Sequence, residues 1–220
     1  NAMGAADGSE SNNVAIGYST LATMNSDASN YNTAVGYNAG TAVTTGVNNT
    51  LIGGLAGDAL TTGTNNVAMG YGALGSEDTG GQNVAIGVNA LNTANYDGNG
   101  LNVAVGYNAG VLMTTGEQNT LIGGLSGDAL TDGNTNVAVG YQSLGSETRG
   151  DRNVAVGKDA LASQNNTSDT DVYNTAVGYA AGTAVTTGNE NVLIGGLAGD
   201  ALTTGSMNVA VGYSALSAED

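Results

Sequence analysis

The stretch NTAVGYNAGTAVTTGVNNTLIG, Asn32–Gly53, decides the fold. It opens on Asn32-Thr33-Ala34-Val35-Gly36 and returns to Asn49-Thr50-Leu51-Ile52-Gly53. A five-residue run rich in β-branched side chains and closed by glycine is too short for a helix and suits a strand. Alternation puts the second and fourth residues on one face and the Asn and the central Ala or Leu on the other. A second short segment follows, Asn38–Val43 here and Leu55–Leu60 in the next unit, and reads as another strand. The token Thr44-Thr45-Gly46 then reads as a turn and recurs at Thr61–Gly63, Thr114–Gly116, Thr186–Gly188 and Thr203–Gly205. Strand, turn, strand, turn within so few residues is one coil of a β-solenoid.

Working outward, the motif recurs twelve times. Its glycines are Gly17, Gly36, Gly53, Gly70, Gly87, Gly106, Gly123, Gly140, Gly157, Gly178, Gly195 and Gly212. Their spacings are 19, 17, 17, 17, 19, 17, 17, 17, 21, 17 and 17. Gly17 to Gly87 and Gly87 to Gly157 are each 70 residues, so the chain reads as three super-repeats of four coils. The expectation is an all-β parallel β-solenoid, or β-roll, of twelve coils of about 17 residues, stacked at ~4.8 Å. Residues 12–220 form one repeat domain, with super-repeats at about 13–82, 83–152 and 153–220. Residues 1–11 are set aside as lead-in, because Asn1-Ala2 ahead of Met3 reads as the remnant of a cleaved tag. The extra residues of the long coils fall in Ser26–Tyr31, Tyr96–Leu101 and Asn165–Tyr173. These polar loops are expected at the surface, with Tyr31, Tyr96 and Tyr173 as candidate surface contacts.

Four residues before each key glycine stands Asn13, Asn32, Asn49, Asn66, Asn83, Asn102, Asn119, Asn136, Asn153, Asn174, Asn191 or Asn208. Asn side chains stacked in register can bond to one another and to turn backbone, so this column and the glycine column read as a structural ladder rather than a row of ligand-binding amides. After the key glycine comes Tyr18, Tyr37, Tyr71, Tyr107, Tyr141, Tyr179 or Tyr213, but Gly54, Gly124 and Gly196 elsewhere. Four after it comes Leu21, Leu74, Leu91, Leu144, Leu161 or Leu216, and glycine in the other coils. Packing between neighbouring coils is the expected role of both; an aromatic contact surface is the alternative for the tyrosines.

The composition removes whole classes of function. Among 220 residues there are 37 Gly and no Pro, Cys, Trp, Phe or His. That leaves no disulfide framework, no thiolate chemistry and no histidine base or ligand. Three basic residues against 19 acidic ones give a net charge of −16, which opposes nucleic acid and anionic membranes. No apolar run approaches the ~20 residues of a membrane span. Coils lined by Ala, Val, Leu and Ile bury little bulk each, so oligomerisation is the expected reinforcement. Each strand offers two apolar faces, and the sequence leaves open which fills the coil and which meets a neighbour.

The units Asn13–Gly17, Asn83–Gly87, Asn102–Gly106, Asn136–Gly140, Asn153–Gly157 and Asn208–Gly212, with Asn32–Gly36 and Asn174–Gly178, resemble the head repeats of YadA-like trimeric autotransporter adhesins. The likeness runs from about Asn12 to Leu216. It implies a left-handed roll, a homotrimeric head, display outside the cell on a bacterial surface, and adhesion to a receptor, protein or glycan. Only the resemblance supplies handedness. The family's repeats are typically shorter and lack the Gly-Tyr and Thr-Thr-Gly segments; Asn136–Leu144 is also similar to repeats of bacteriophage tail fibres, which implies a virion fibre as the alternative.

No catalytic constellation is visible, and the chain is read as a non-enzyme with no cofactor and no metal. Arg149, Arg152 and Lys158 are expected to offset nearby acids such as Glu147, Asp151 and Asp159. Asp58, Asp128 and Asp200 recur four coils apart, too far to share one ion. Oxygen-rich loops around Asp169 and Asp171 keep calcium a minor alternative, and the Thr pairs keep ice binding another, although Glu77, Asp78, Glu147 and Glu219 interrupt that column.

Overall fold

The computed structural model describes residues 2–5, 10–26 and 28–217. Part of the lead-in and Glu219 lie outside them. The chain is an all-β parallel β-solenoid of about 12 turns, with no helix among the described residues. It divides into two compact units, Asn1–Asn108 and Ala109–Asp220.

In the first unit, β1 (Val14–Ile16), β2 (Thr33–Val35), β3 (Thr50–Ile52), β4 (Val67–Met69), β5 (Val84–Ile86) and β6 (Val103–Val105) pair in sequence order, parallel and in register. In the second, β7 (Thr120–Ile122), β8 (Val137–Val139), β10 (Val154–Val156), β12 (Thr175–Val177), β13 (Val192–Ile194) and β14 (Val209–Val211) do the same. There β9 (Gly150–Asp151) and β11 (Thr170–Asp171) make a small parallel sheet of their own.

The expected second strand of each coil is not there. Asn38–Val43 and Leu55–Leu60 are runs of turns. Their backbone cannot be extended, because Asn38 and Gly40 have φ of 54° and 58°, and Leu55 and Gly57 have 57° and 55°. A left-handed conformation costs a side-chain-bearing residue about 1–2 kcal/mol. Residues as bulky as Leu55 hold it because neighbouring coils fix the corner.

Alternation within the strands resolves which face is which. Apart from the first and last coils, the central residue of each three-residue strand points into the coil and is fully buried: Ala34, Leu51, Ala68, Ala85 and Ala104 in the first unit, Leu121, Ala138, Ala155, Ala176 and Leu193 in the second. The flanking Val, Ile and Thr residues point outward and stay partly exposed. The coil interior is thus lined by the central Ala or Leu of the strand, and the flanking, mostly β-branched residues are left to the outside.

Size complementarity explains the four-coil period. Leu51 takes the place of Ala in the third coil, and the room for it comes from two glycines. A Cβ on Gly40 would lie 2.6 Å from Leu51 Cδ1, and one on Gly57 would lie 2.9 Å from Leu51 Cδ2. Leu121 stands over Gly127 in the same way, and Leu193 fills against Gly182 and Gly199. In the coils before and after each such pair, the strand centre is Ala and a leucine fills the later position, buried at Leu74, Leu91, Leu144 and Leu161.

Candidate functional surface

The asparagine column is built from the same bond repeated coil after coil. Asn49 N–H donates to Asn32 Oδ1 at 2.9 Å, and Asn32 Nδ2 donates to the Gly46 carbonyl at 2.8 Å. The step is usually 17 residues, but 19 from Asn13 to Asn32 and from Asn83 to Asn102, and 21 from Asn153 to Asn174. Asn66, Asn83 and Asn102 continue it in the first unit, and Asn136, Asn153, Asn174, Asn191 and Asn208 in the second. Asn119 Oδ1 and Nδ2 serve Asn136 N–H and the Gly133 carbonyl. From Asn32 to Asn102 and from Asn119 to Asn191 these amides are buried, and within each unit the amide oxygens are engaged by the next coil. The key glycines are equally committed. Gly87 has φ of 136°, and a Cβ there would sit 2.2 Å from the Gly106 carbonyl oxygen. Gly17, Gly36, Gly53 and Gly70 face the next coil's glycine likewise, as do Gly123, Gly140, Gly157, Gly178 and Gly195; Gly106 and Gly212 share the positive φ.

The long loops are tied down by a device the sequence reading missed. Seven residues past the key glycine, most coils place an apolar side chain inside: Met24, Val43, Leu60, Met113, Leu130 and Val185. In the coil before two of the long loops that position is Glu77 or Glu147, both fully buried. Glu77 accepts from Gly80 N–H at 2.6 Å and from Tyr96 N–H at 3.2 Å. Burial raises its pKa above the ordinary carboxylate value, against the lowering effect of those N–H groups. Glu147 Oε1 accepts from the N–H of Thr148, Arg149, Gly150 and Asn166, while Oε2 accepts from Gln164 Nε2 and Asn166 Nδ2. An inserted loop interrupts the coil-to-coil ladder, and the carboxylate collects the donors left over. Glu10 plays a related part, accepting from Ser26 N–H at 3.3 Å. The only signal in the sequence was phase: a charge in an apolar column.

This corrects two expectations. Tyr96 is not a surface contact. It is only 3% exposed, and its hydroxyl accepts from Asn102 Nδ2 at 3.0 Å inside the loop. Glu147 does not offset the cations either. Arg149 pairs with Asp132 of the preceding coil at 3.0 Å, Arg152 with Asp171, and Lys158 with Asp159 at 2.6 Å. Asp151 instead accepts from Asn134 N–H at 2.6 Å. Tyr31 and Tyr173 are exposed. Arg152 lies 5.6 Å from the Tyr173 ring centre, and the Tyr173 hydroxyl donates to Asp171.

The tyrosines after the key glycine do not pack inside. Tyr18, Tyr37, Tyr71 and Tyr107 in the first unit and Tyr141, Tyr179 and Tyr213 in the second are 49–79% exposed. They stand just past the strand ends, beside an outward face that includes Val14, Ile16, Met69, Ile122 and Ile194, all exposed. No described element of either unit covers that face. Among the described residues there is no enclosed pocket and no group of three acidic side chains placed to hold one ion. Asp58 and Asp128 are half-buried, and burial raises their pKa.

Comparison with family models, curated proteins and solved structures finds no match to this chain.

Proposed function

We propose that this chain is a non-enzymatic adhesive fibre segment: a left-handed, homotrimeric β-roll head, its coils about 17 residues long, of a bacterial surface adhesin acting outside the cell. One observation carries the reading. The flanking Val, Ile, Met and Thr residues of the three-residue strands point outward and no described element covers them, while the central Ala or Leu faces the coil. Contiguous apolar surface on a repeat protein marks an interaction site, and identical coils present it identically on every copy. A closed symmetric assembly buries it without leaving an open-ended contact. Three copies, left-handed winding and bacterial display come from the resemblance to YadA-like heads. The trimer carries 3 × −16 = −48 charges, which keeps fibres apart and leaves attachment to specific contacts.

Light scattering of the purified chain tests this: the expected mass is three times 21.4 kDa. Ile52→Asp, which places a charge on the outward face without entering the coil, is expected to yield monomers. A parent chain at the mass of one copy refutes the trimeric head. The Gly-Tyr and Thr-Thr-Gly segments, foreign to the shorter adhesin repeats, favour a second reading as a bacteriophage tail-fibre shaft or receptor-binding segment. The parent gene separates the two: a β-barrel anchor downstream supports the adhesin, a tail-assembly domain the fibre.

A further inference from the structure

We propose that Tyr18 and Tyr37 form a modification site, a phenol pair placed for oxidative coupling into a dityrosine cross-link that staples two adjacent coils. The inference stands on this pair and not on the adhesive reading. The two rings stack at 5.6 Å between centres and 9° between planes, the one stacked aromatic pair among the described residues. In-register pairing of β1 with β2 brings both residues two positions past their strand ends. Asn38 N–H donates to the Tyr18 carbonyl at 2.9 Å and ties the two backbones together there. The rings are 66% and 58% exposed, so an oxidant in solution reaches both.

The rest of the column lacks such a partner. Gly54 stands between Tyr37 and Tyr71, and Val88 between Tyr71 and Tyr107. Those rings are two coils apart, about 9.6 Å. In the second unit Lys158 and Gly196 interrupt the column in the same way. There a ring meets whatever the preceding coil offers. The Tyr71 ring lies over Gly54, where a Cβ would come 3.4 Å from Cδ2, and Tyr213 lies over Gly196 at 3.5 Å. Lys158 Nζ is 5.4 Å from the Tyr179 ring centre. At Tyr37 the group in that place is another phenol.

The co-reactants are hydrogen peroxide and a haem peroxidase that withdraws one electron at a time. Each phenol gives up one electron and one proton, leaving a phenoxyl radical whose spin is shared between Oη and the Cε carbons. A Cε–Cε bond joins the two radicals, and each joined carbon passes its hydrogen to its ring oxygen as aromaticity returns. One C–C bond replaces two C–H bonds, and the two electrons and two protons reduce one peroxide to two waters. Stacking holds the second radical beside the first and replaces a bimolecular encounter with a unimolecular one. Exposed side chains turn within nanoseconds, which brings the stacked carbons into bonding geometry. The chain has no cysteine, so no disulfide can close one coil on the next.

The test treats the full chain with a haem peroxidase and limiting hydrogen peroxide. It is read by dityrosine fluorescence, denaturing gel electrophoresis and mass spectrometry of peptic fragments. The expected product runs at the mass of one chain, has lost two hydrogen atoms, and joins the peptide of Tyr18 to that of Tyr37. Tyr37→Phe is expected to abolish it and Tyr71→Phe to leave it unchanged; both keep the ring, and matching circular dichroism confirms the fold. Amide exchange at Gly36 and Asn38, whose N–H groups bridge the two coils, is expected to slow at least about tenfold in the product, because the closed loop restricts the opened state. Absence of the one-chain product, dityrosine found only between chains, or a one-chain product that survives Tyr37→Phe overturns the pair. Unchanged exchange overturns the staple.

Discussion

Replacing Glu147 with alanine tests whether the buried carboxylate holds the long loop of the second unit. Its oxygens accept six hydrogen bonds, from the N–H of Thr148, Arg149, Gly150 and Asn166 and from the side chains of Gln164 and Asn166. Two of those donors, Gly150 N–H and Gln164 Nε2, are fully buried. Water can reach the other four in the variant, but not these two without opening the coil. A buried donor stripped of its acceptor costs about 1–3 kcal/mol, so the alanine variant is expected to lose about 2–6 kcal/mol. That is a large share of the ~5–15 kcal/mol that holds an ordinary domain together. Glu147→Gln isolates the cause. It keeps one oxygen for the backbone donors and turns an NH₂ toward two amide donors, so its loss falls between parent and alanine. The assay is urea unfolding followed by circular dichroism, with amide exchange read at Thr148, Arg149, Gly150 and Asn166. Alanine within 1 kcal/mol of the parent, or unchanged protection at those amides, refutes the anchoring role.

Glu77 is expected to respond to pH in the opposite sense from a salt-bridged acid. Burial raises its folded pKa above the ordinary 4.5. Its stabilising contribution is therefore fully present below about pH 4.5 and is lost as pH rises through the raised folded value. Unfolding measured from pH 4 to pH 8 is expected to show Glu77→Gln gaining on the parent as pH rises; a constant difference refutes this. Leu51→Ala is expected to cost about 2–5 kcal/mol by opening a cavity. Gly40→Ala, destabilising alone because its Cβ meets Leu51, is expected to cost less in the Leu51→Ala background; additive losses in a double-mutant cycle refute the size complementarity.

The stacked, parallel, in-register strands were legible in Asn32–Gly53 and its eleven echoes, since a β-strand declares itself by alternation and a solenoid by period. The sequence also determined which positions are columns, because stacking repeats one environment along the chain and so demands one residue type. Three things only the tertiary structure decided. The strand's two faces are both apolar, so hydrophobicity could not tell inside from outside; only the folded coil shows the central Ala or Leu inside, fully buried, and the flanking residues outside. The turns at Asn38–Val43 looked extended because Asn, Ala and Thr carry no strong local preference against it, and only neighbouring coils fix Asn38 and Leu55 at positive φ. Glu77 and Glu147 read as surface charges, as lone acids nearly always do; their burial follows from donors that the inserted loops strand two dozen residues or fewer away, a long-range match that no local pattern carries.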